Sequence, residues 1–386
     1  MKHLHFSEEE LAGRRARACE MMAERGLDGL LVFRQESLFY LTGYDTFGYV
    51  FFQCLYLGRD GAMTLLTRAP DLRQAQQTSV IEDIRVWVDH PQSRPAEDLK
   101  EILRERGAEG RTLGVEYEAY GLTARNGKHL DRTLEGFCHL RDASYLVSRL
   151  RLVKSPAEID YVRRAGVLAD DALKAALPLI RPGAEEGSIL AAMQGAVFEG
   201  GGDYPGNEFI IGSGERALLC RYHTGRGVLA ADDQLTLEWA GAYRHYHAAM
   251  MATAVIGALP EWQKTMHAVA RDALLAVEEK LAPGNTVGQA FDAHAETLDR
   301  AGYRNHRMNA CGYCLGTTFA PNWMDWPMLY HDNPVVIGPG MVFFVHIIIF
   351  NSEQGLAMTL GRTSLVGEKG AESLSAMPLD LIHVPG

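Results

Sequence analysis

The sequence has no basic face to offer. Its formal net charge is −11, and no Lys/Arg run or basic amphipathic stretch interrupts the acidic balance. Nucleic acid and anionic membrane both require a concentrated positive surface, so neither is an expected partner. Long apolar runs are also missing. The longest, MVFFVHIIIF, is about half of what a bilayer-spanning helix needs, and it carries a histidine, which marks it as a buried strand. The N-terminal stretch contains no apolar signal core, so a cytoplasmic location is expected. Cysteine is sparse: six are scattered along the chain, which reads as reduced thiols in that compartment. Cys311 and Cys314 form one CxxC, but a zinc ribbon needs a second pair, and there is none. No low-complexity segment interrupts the chain.

What is present fits a globular protein with a sizeable core. Hydrophobic residues make up 47% and charged residues 23% of 386, enough chain for two domains. Residues 7–27 carry helical apolar spacing, an acidic first turn and Gly26 as a stop. DGLLVF reads as a buried strand. LFYLTGYD and VFFQCLYLG follow, then AMTLLT, a helix (AEDLKEILRERG) and a strand (RTLGVE). This alternation predicts an α/β domain over 1–150. The boundary falls in VSRLRLVKSPAEIDYVRRAG, whose Arg- and Lys-rich start reads as a connector. There Ser155, Pro156 and Glu158 spell an N-cap, a first-turn proline and a capping box, so a long helix starts at Ser155. Residues 151–386 change character. Long helices near 155–180 and 260–282 each end in a PG turn and are followed by a further helix, which hints at an internal repeat. Strand segments DQLTLEWAGAY, HYHAAMMATAVIG, MVFFVHIIIF and RTSLVG complete an α+β domain with helices packed on a curved antiparallel sheet.

RLVKSPAEIDYVRRA, the helix–PG–helix pattern, GAYRHY, GPGMVFF and TSLVGEKGAESLS together resemble the pita-bread superfamily (M24-type, creatinase/Xaa-Pro peptidase-like). The resemblance spans nearly the whole chain, including a creatinase-type N-terminal domain, and implies a pita-bread catalytic domain over 151–386. Peptidases of that group bind two metal ions through two Asp, one His and two Glu. The matching positions here are Glu238, Ala249, Tyr313, His346 and Gly361. One carboxylate and one imidazole cannot hold two ions, so neither a metal nor another cofactor is expected. In LTGYD, QC, GGDYP, EWAGAYRHYH, GYCLG and PNW the sequence is similar to the ectoine hydrolase branch, which works without metal, as creatinase does. It departs from that pattern at Ala252 and in LGRT, which lacks an acid.

The resemblance implies hydrolysis of a C–N bond in a small amidine- or guanidine-like, cationic or zwitterionic compound. Such a carbon is already electrophilic, so a carboxylate to hold the cation and a base to move protons suffice. Glu238, read as ending its strand just before an AGAY turn, is the acid. His223 in CRYHTGRG stands where creatinase-like proteins carry their catalytic histidine. His245 and His247 lie two apart on an expected strand and so face one side together with Ala249. With His346 and Glu238 they would be a candidate mononuclear zinc set; His346 is otherwise a core histidine. Tyr313 and Trp323 are candidate pocket aromatics for a cation, while Trp326 reads as core and Asp325 as a turn residue. Arg362 is a candidate for a substrate carboxylate, or else half of an ion pair. By analogy, the YLTGYDTFGYV loop points to a homodimer. Three alternatives stand beside this reading: a metal-dependent Xaa-Pro dipeptidase or aminopeptidase, a lyase acting on a small sulfonium compound, and a non-catalytic binding protein on a peptidase frame.

Overall fold

The computed structural model describes residues 2–221 and 225–385. The chain divides into two compact units, Met1–Arg151 and Leu152–Gly386. The segment read as a connector is itself ordered, with a short helix at Leu146–Arg151.

The N-terminal unit is a mixed six-stranded sheet with helices. Its strands run in the order Ile84–Trp87, Met63–Arg68, Cys54–Gly58, Gly29–Val32, Thr112–Val115 and His139–Asp142. Gly29–Val32 is wholly buried, as a continuous apolar run should be in the middle of a covered sheet. The first helix, Glu8–Glu24, starts where the Ser7 hydroxyl accepts the Glu10 amide, with three glutamates in its first turn to meet the helix dipole. LFYLT is not a strand but the end of a helix, Gln35–Thr42. Buried Glu116 starts that helix: it accepts from the Phe33 and Arg34 amides at 3.1 and 3.0 Å and from the Ser37 hydroxyl at 2.6 Å.

The C-terminal unit is built twice over. Helix Pro156–Ala176 is followed by a PG turn and helix Glu186–Glu199; helix Glu261–Lys280 by a PG turn and helix Val287–Arg300. Both turns need a left-handed residue, supplied by Gly183 (φ 79) and Gly284 (φ 93). Both are then pinned in the same way. The Gly183 amide donates to Leu229 O at 2.8 Å and the Gly284 amide to Ile337 O at 3.0 Å. The next residues form isolated bridges, Glu185 with Val228 and Thr286 with Val336. Each repeat ends in a long hairpin: Asp233–Tyr243 with Tyr246–Ile256, and Val342–Asn351 with Leu356–Gly367. Counting equally far from Leu229 and Ile337 reaches Glu238 in the first hairpin and His346 in the second.

The hairpins join into a nine-stranded sheet, antiparallel but for the short strand Ile382–Val384, which runs parallel to Tyr246–Ile256. This is the curled half-barrel of the pita-bread fold. The seam between the hairpins is narrow, with only Ala252–Leu360 and Met251–Gly361 in register. Where the strands splay, hydroxyls bridge them. The Ala249 amide donates to Thr363 Oγ1, which donates to Ala249 O, both at 2.8 Å, and the Thr359 amide donates to Thr253 Oγ1 at 2.8 Å. The capping box at Ser155 and Glu158 forms as expected, and Glu158 also accepts from the Tyr246 hydroxyl at 2.7 Å, tying the first hairpin to the helix start. Among the described residues no helix is long and apolar enough to cross a membrane.

Candidate active site

Strand pairing brings the sequence-matched positions to one face of the sheet. Glu238 pairs with Met251, Met251 with Gly361, and Gly361 with His346, and residues directly opposite one another point the same way. Ala249 lies two residues from Met251. Tyr313 is opposite Phe344, two residues from His346. All five positions therefore share a face, with Met251 between them.

Glu238 sits mid-strand rather than at a strand end. AGAY is not the turn, because the strand continues to Tyr243. Its small residues serve another purpose: a Cβ on Gly241 would stand 2.0 Å from Ala165 O of the packed helix. Glu238 is only 9% exposed. Burial pushes its carboxyl up to about 7, although the positive charge of Arg221 and a hydrogen bond from Tyr313 pull it down. That bond, from the Tyr313 hydroxyl to Glu238 Oε1, is long at 3.4 Å. The Trp323 indole N–H donates to Tyr313 Oη at 2.8 Å, which fixes the phenol. Burial, then Glu238, hold the Tyr313 phenol well above its usual range, so it remains a donor. Burial and Arg221 lower the His346 imidazole to about 4. Its ring is 5.6 Å from that of Tyr313, and among the described residues its buried Nδ1 has no partner. A neutral imidazole with an unmatched nitrogen calls for a ligand or water.

Several expectations are corrected. His245 is not on a strand. With Arg244 (φ 49) it forms the hairpin tip (φ 64), so it does not share a face with His247, and its ring stacks on Phe319 at 4.2 Å. His247 is fully buried with both nitrogens bonded: the Gly206 amide donates to Nε2 at 2.8 Å, and Nδ1 meets Thr318 Oγ1 at 3.1 Å. An amide can only donate, so Nδ1 carries the proton. Burial lowers this imidazole to about 4, and no nitrogen is left for a ligand. Arg362 points to the opposite face with Val345 and makes a bidentate pair with Glu278 of helix Glu261–Lys280, at 2.8 and 2.6 Å. Trp323 lies behind Tyr313, buried, with its N–H already used. Trp326 packs in the core under the second helix pair. Asp325 is a buried strand residue rather than a turn residue. His223 lies outside the described residues. Arg221, two residues before it, was missed; a second basic side chain in CRYHTGRG was the available signal. It is exposed, yet its charge acts on Glu238, Tyr313 and His346.

A dinuclear metal centre needs bridging carboxylates. Here Ala249, Gly361 and Tyr313 fill three of five positions, so the donor set does not fit one. The mononuclear alternative loses His245 to the hairpin tip and His247 to its own hydrogen bonds. Within residues 152–386, among the described residues, no three His, Cys, Asp or Glu side chains come within ligand reach of one another.

Residues 160–368 match metallopeptidase family M24, and residues 14–153 match the creatinase/prolidase N-terminal domain. The chain is 28% identical over 395 residues to the ectoine hydrolase of Halomonas elongata, covering 98% of each. It is 22% identical over 364 residues to the Xaa-Pro dipeptidase of Pyrococcus furiosus, covering 94% of this chain and 97% of that one. Its fold is similar to that of an Xaa-Pro dipeptidase from Bacillus anthracis, with a TM-score of 0.83 at 21% identity, over 97% of this chain and all of the other.

Proposed function

The chain belongs to metallopeptidase family M24, a family of hydrolases, and from that membership and its altered donor set we propose a metal-independent hydrolase that cleaves a C–N bond of a small, cationic or zwitterionic amidine- or guanidine-like compound. One observation carries this reading: a single buried acid, Glu238, remains on the face where the family places its ligands, with its carboxyl near 7. Near neutrality such a group takes a proton from water and returns it to a leaving nitrogen, or ionises to pair with an amidinium. Tyr313, kept protonated, orients it. The positive field of Arg221 suits the carboxylate end of a zwitterion. His346 Nδ1 offers a neutral hydrogen-bonding atom, and His223 is assigned a proton shuttle. A cytoplasmic homodimer is part of the same proposal.

The likeness to the H. elongata enzyme directs the first screen to ectoine, hydroxyectoine, creatine and related amidines, assayed in chelator with product detection. Turnover that persists without metal is expected, and His223→Ala should slow it and change its pH profile. The family description and the P. furiosus relative favour a second reading, a metal-dependent Xaa-Pro dipeptidase. Manganese-stimulated cleavage of Xaa-Pro dipeptides, with stoichiometric bound metal, would replace the first reading with the second.

A further inference from the structure

On the other side of the strand that carries Tyr313 lies an amine–thiol pair that the proposed chemistry does not use. Lys154 is 4% exposed and Cys314 is fully buried. Lys154 Nζ meets Cys314 Sγ at 3.1 Å and Leu152 O at 3.1 Å. Gly316 leaves room for this approach: a Cβ there would stand 3.2 Å from Lys154 Cε and 3.5 Å from Nζ, and 4.0 Å from Asp325 Oδ2. A primary amine, a thiol and a carboxylate thus gather where apolar side chains would otherwise close the core. We propose that Lys154 and Cys314 are a modification site, joined covalently when the protein meets a peroxide.

The chemistry balances in two steps. The Cys314 thiol attacks hydrogen peroxide, the O–O bond breaks, and sulfenic acid and one water form; sulfur gives up two electrons, and the peroxide oxygens take them. The Lys154 amine, its ammonium proton having passed to Asp325 or solvent, then attacks that sulfur. The S–N bond forms, the S–O bond breaks, and hydroxide leaves with the amine's proton as a second water. Sulfenic acids are known to condense with nitrogen in this way. The neighbouring amine spares Cys314 further oxidation, because it competes with the next peroxide at a fixed distance of a few ångströms.

The link would join residues 160 apart in sequence, tying the start of helix Pro156–Ala176 to the strand that holds Tyr313. Closing so long a loop removes chain entropy from the unfolded state. The experiment treats the full chain with hydrogen peroxide, then digests it and maps cross-links by mass spectrometry. The expected product joins the Lys154 and Cys314 peptides at a mass lower by about 2 Da, resists trypsin at Lys154 and reverts with dithiothreitol. The thermal midpoint should rise by about 5 °C, and Lys154→Gln should show neither link nor rise. The less buried Cys19 and Cys220 serve as oxidation controls. Their oxidation while Lys154 and Cys314 stay unlinked would overturn the proposal, as would a Cys311–Cys314 disulfide or a Cys314 sulfinate instead. None of these readouts depends on the substrate.

Discussion

Glu116 and Glu238 are both buried acids whose carboxyls burial pushes up, yet they are housed in opposite ways. Glu116, in the N-terminal unit, meets two amides and a hydroxyl, all within 3.1 Å. Glu186 in the C-terminal unit is housed like it, fully buried against the Ser213 and Gly227 amides, the Ser213 hydroxyl and Arg216. Among the described residues Glu238 has one long hydrogen bond, from Tyr313. Glu116 and Glu186 are surrounded by donors, whereas Glu238 is left short of them, as the proposed chemistry requires of an acid that must change its proton and its partner. The number of donors, more than depth, separates the two kinds.

The largest test of that distinction is Glu238→Gln, which should lower turnover by about three orders of magnitude or more without unfolding the protein. Its effect on stability should be a gain. Because the folded carboxyl titrates near 7 against 4.5 in the reference state, the fold binds the extra proton. Stability is then fully present below about 4.5 and is lost as pH rises through 7, by up to about 3 kcal/mol. The variant should therefore match the wild type at pH 4.5 and exceed it at pH 8 in urea denaturation; a loss at pH 8 would put Glu238 with the structural acids.

Glu186→Gln should do the reverse. Both of its oxygens accept amide N–H groups, so an amide nitrogen must face a donor, and a loss of about 3 kcal/mol is expected by the same denaturation. Glu116→Gln should be milder, about 1 kcal/mol. Only Oε2 meets amides there; the Oε1 side faces the Ser37 hydroxyl, which can turn to accept. Equal losses at 116 and 186 would break that ordering. The smallest effect belongs to Tyr313→Phe. Removing the donor that pulls Glu238 down should move the neutral inflection of the pH–rate profile upward by less than about one unit.

Features set by neighbouring residues were legible in the sequence. The capping box at Ser155, the two PG turns and the buried run Gly29–Val32 depend on a few adjacent side chains, and the structure has them all. The resemblance located the positions that strand pairing gathers on one face. What escaped depended on distant partners. Gly241 and its alanine neighbours look like a turn until the helix that lies on them is known. Arg362 differs from Gly361 only in strand parity, and register with the second hairpin decides which one looks inward. His245 fell off its expected face because a two-residue tip interrupts the alternation just there. The only local mark of Arg221 is its place as a second basic side chain beside His223 in CRYHTGRG; its effect comes from the charge it lends to groups on other strands.

The matched spacing of Glu238 and His346 from their PG turns has one further consequence. Each duplicate places one of these two side chains in the same row, and the row crosses the seam that only two register pairs hold shut. The proposed chemistry would therefore belong to neither copy but to their junction. Slippage of one hairpin by a residue would break up the row while leaving both copies intact, so the threonine bridges at that seam would guard the proposed reactivity as much as they guard shape.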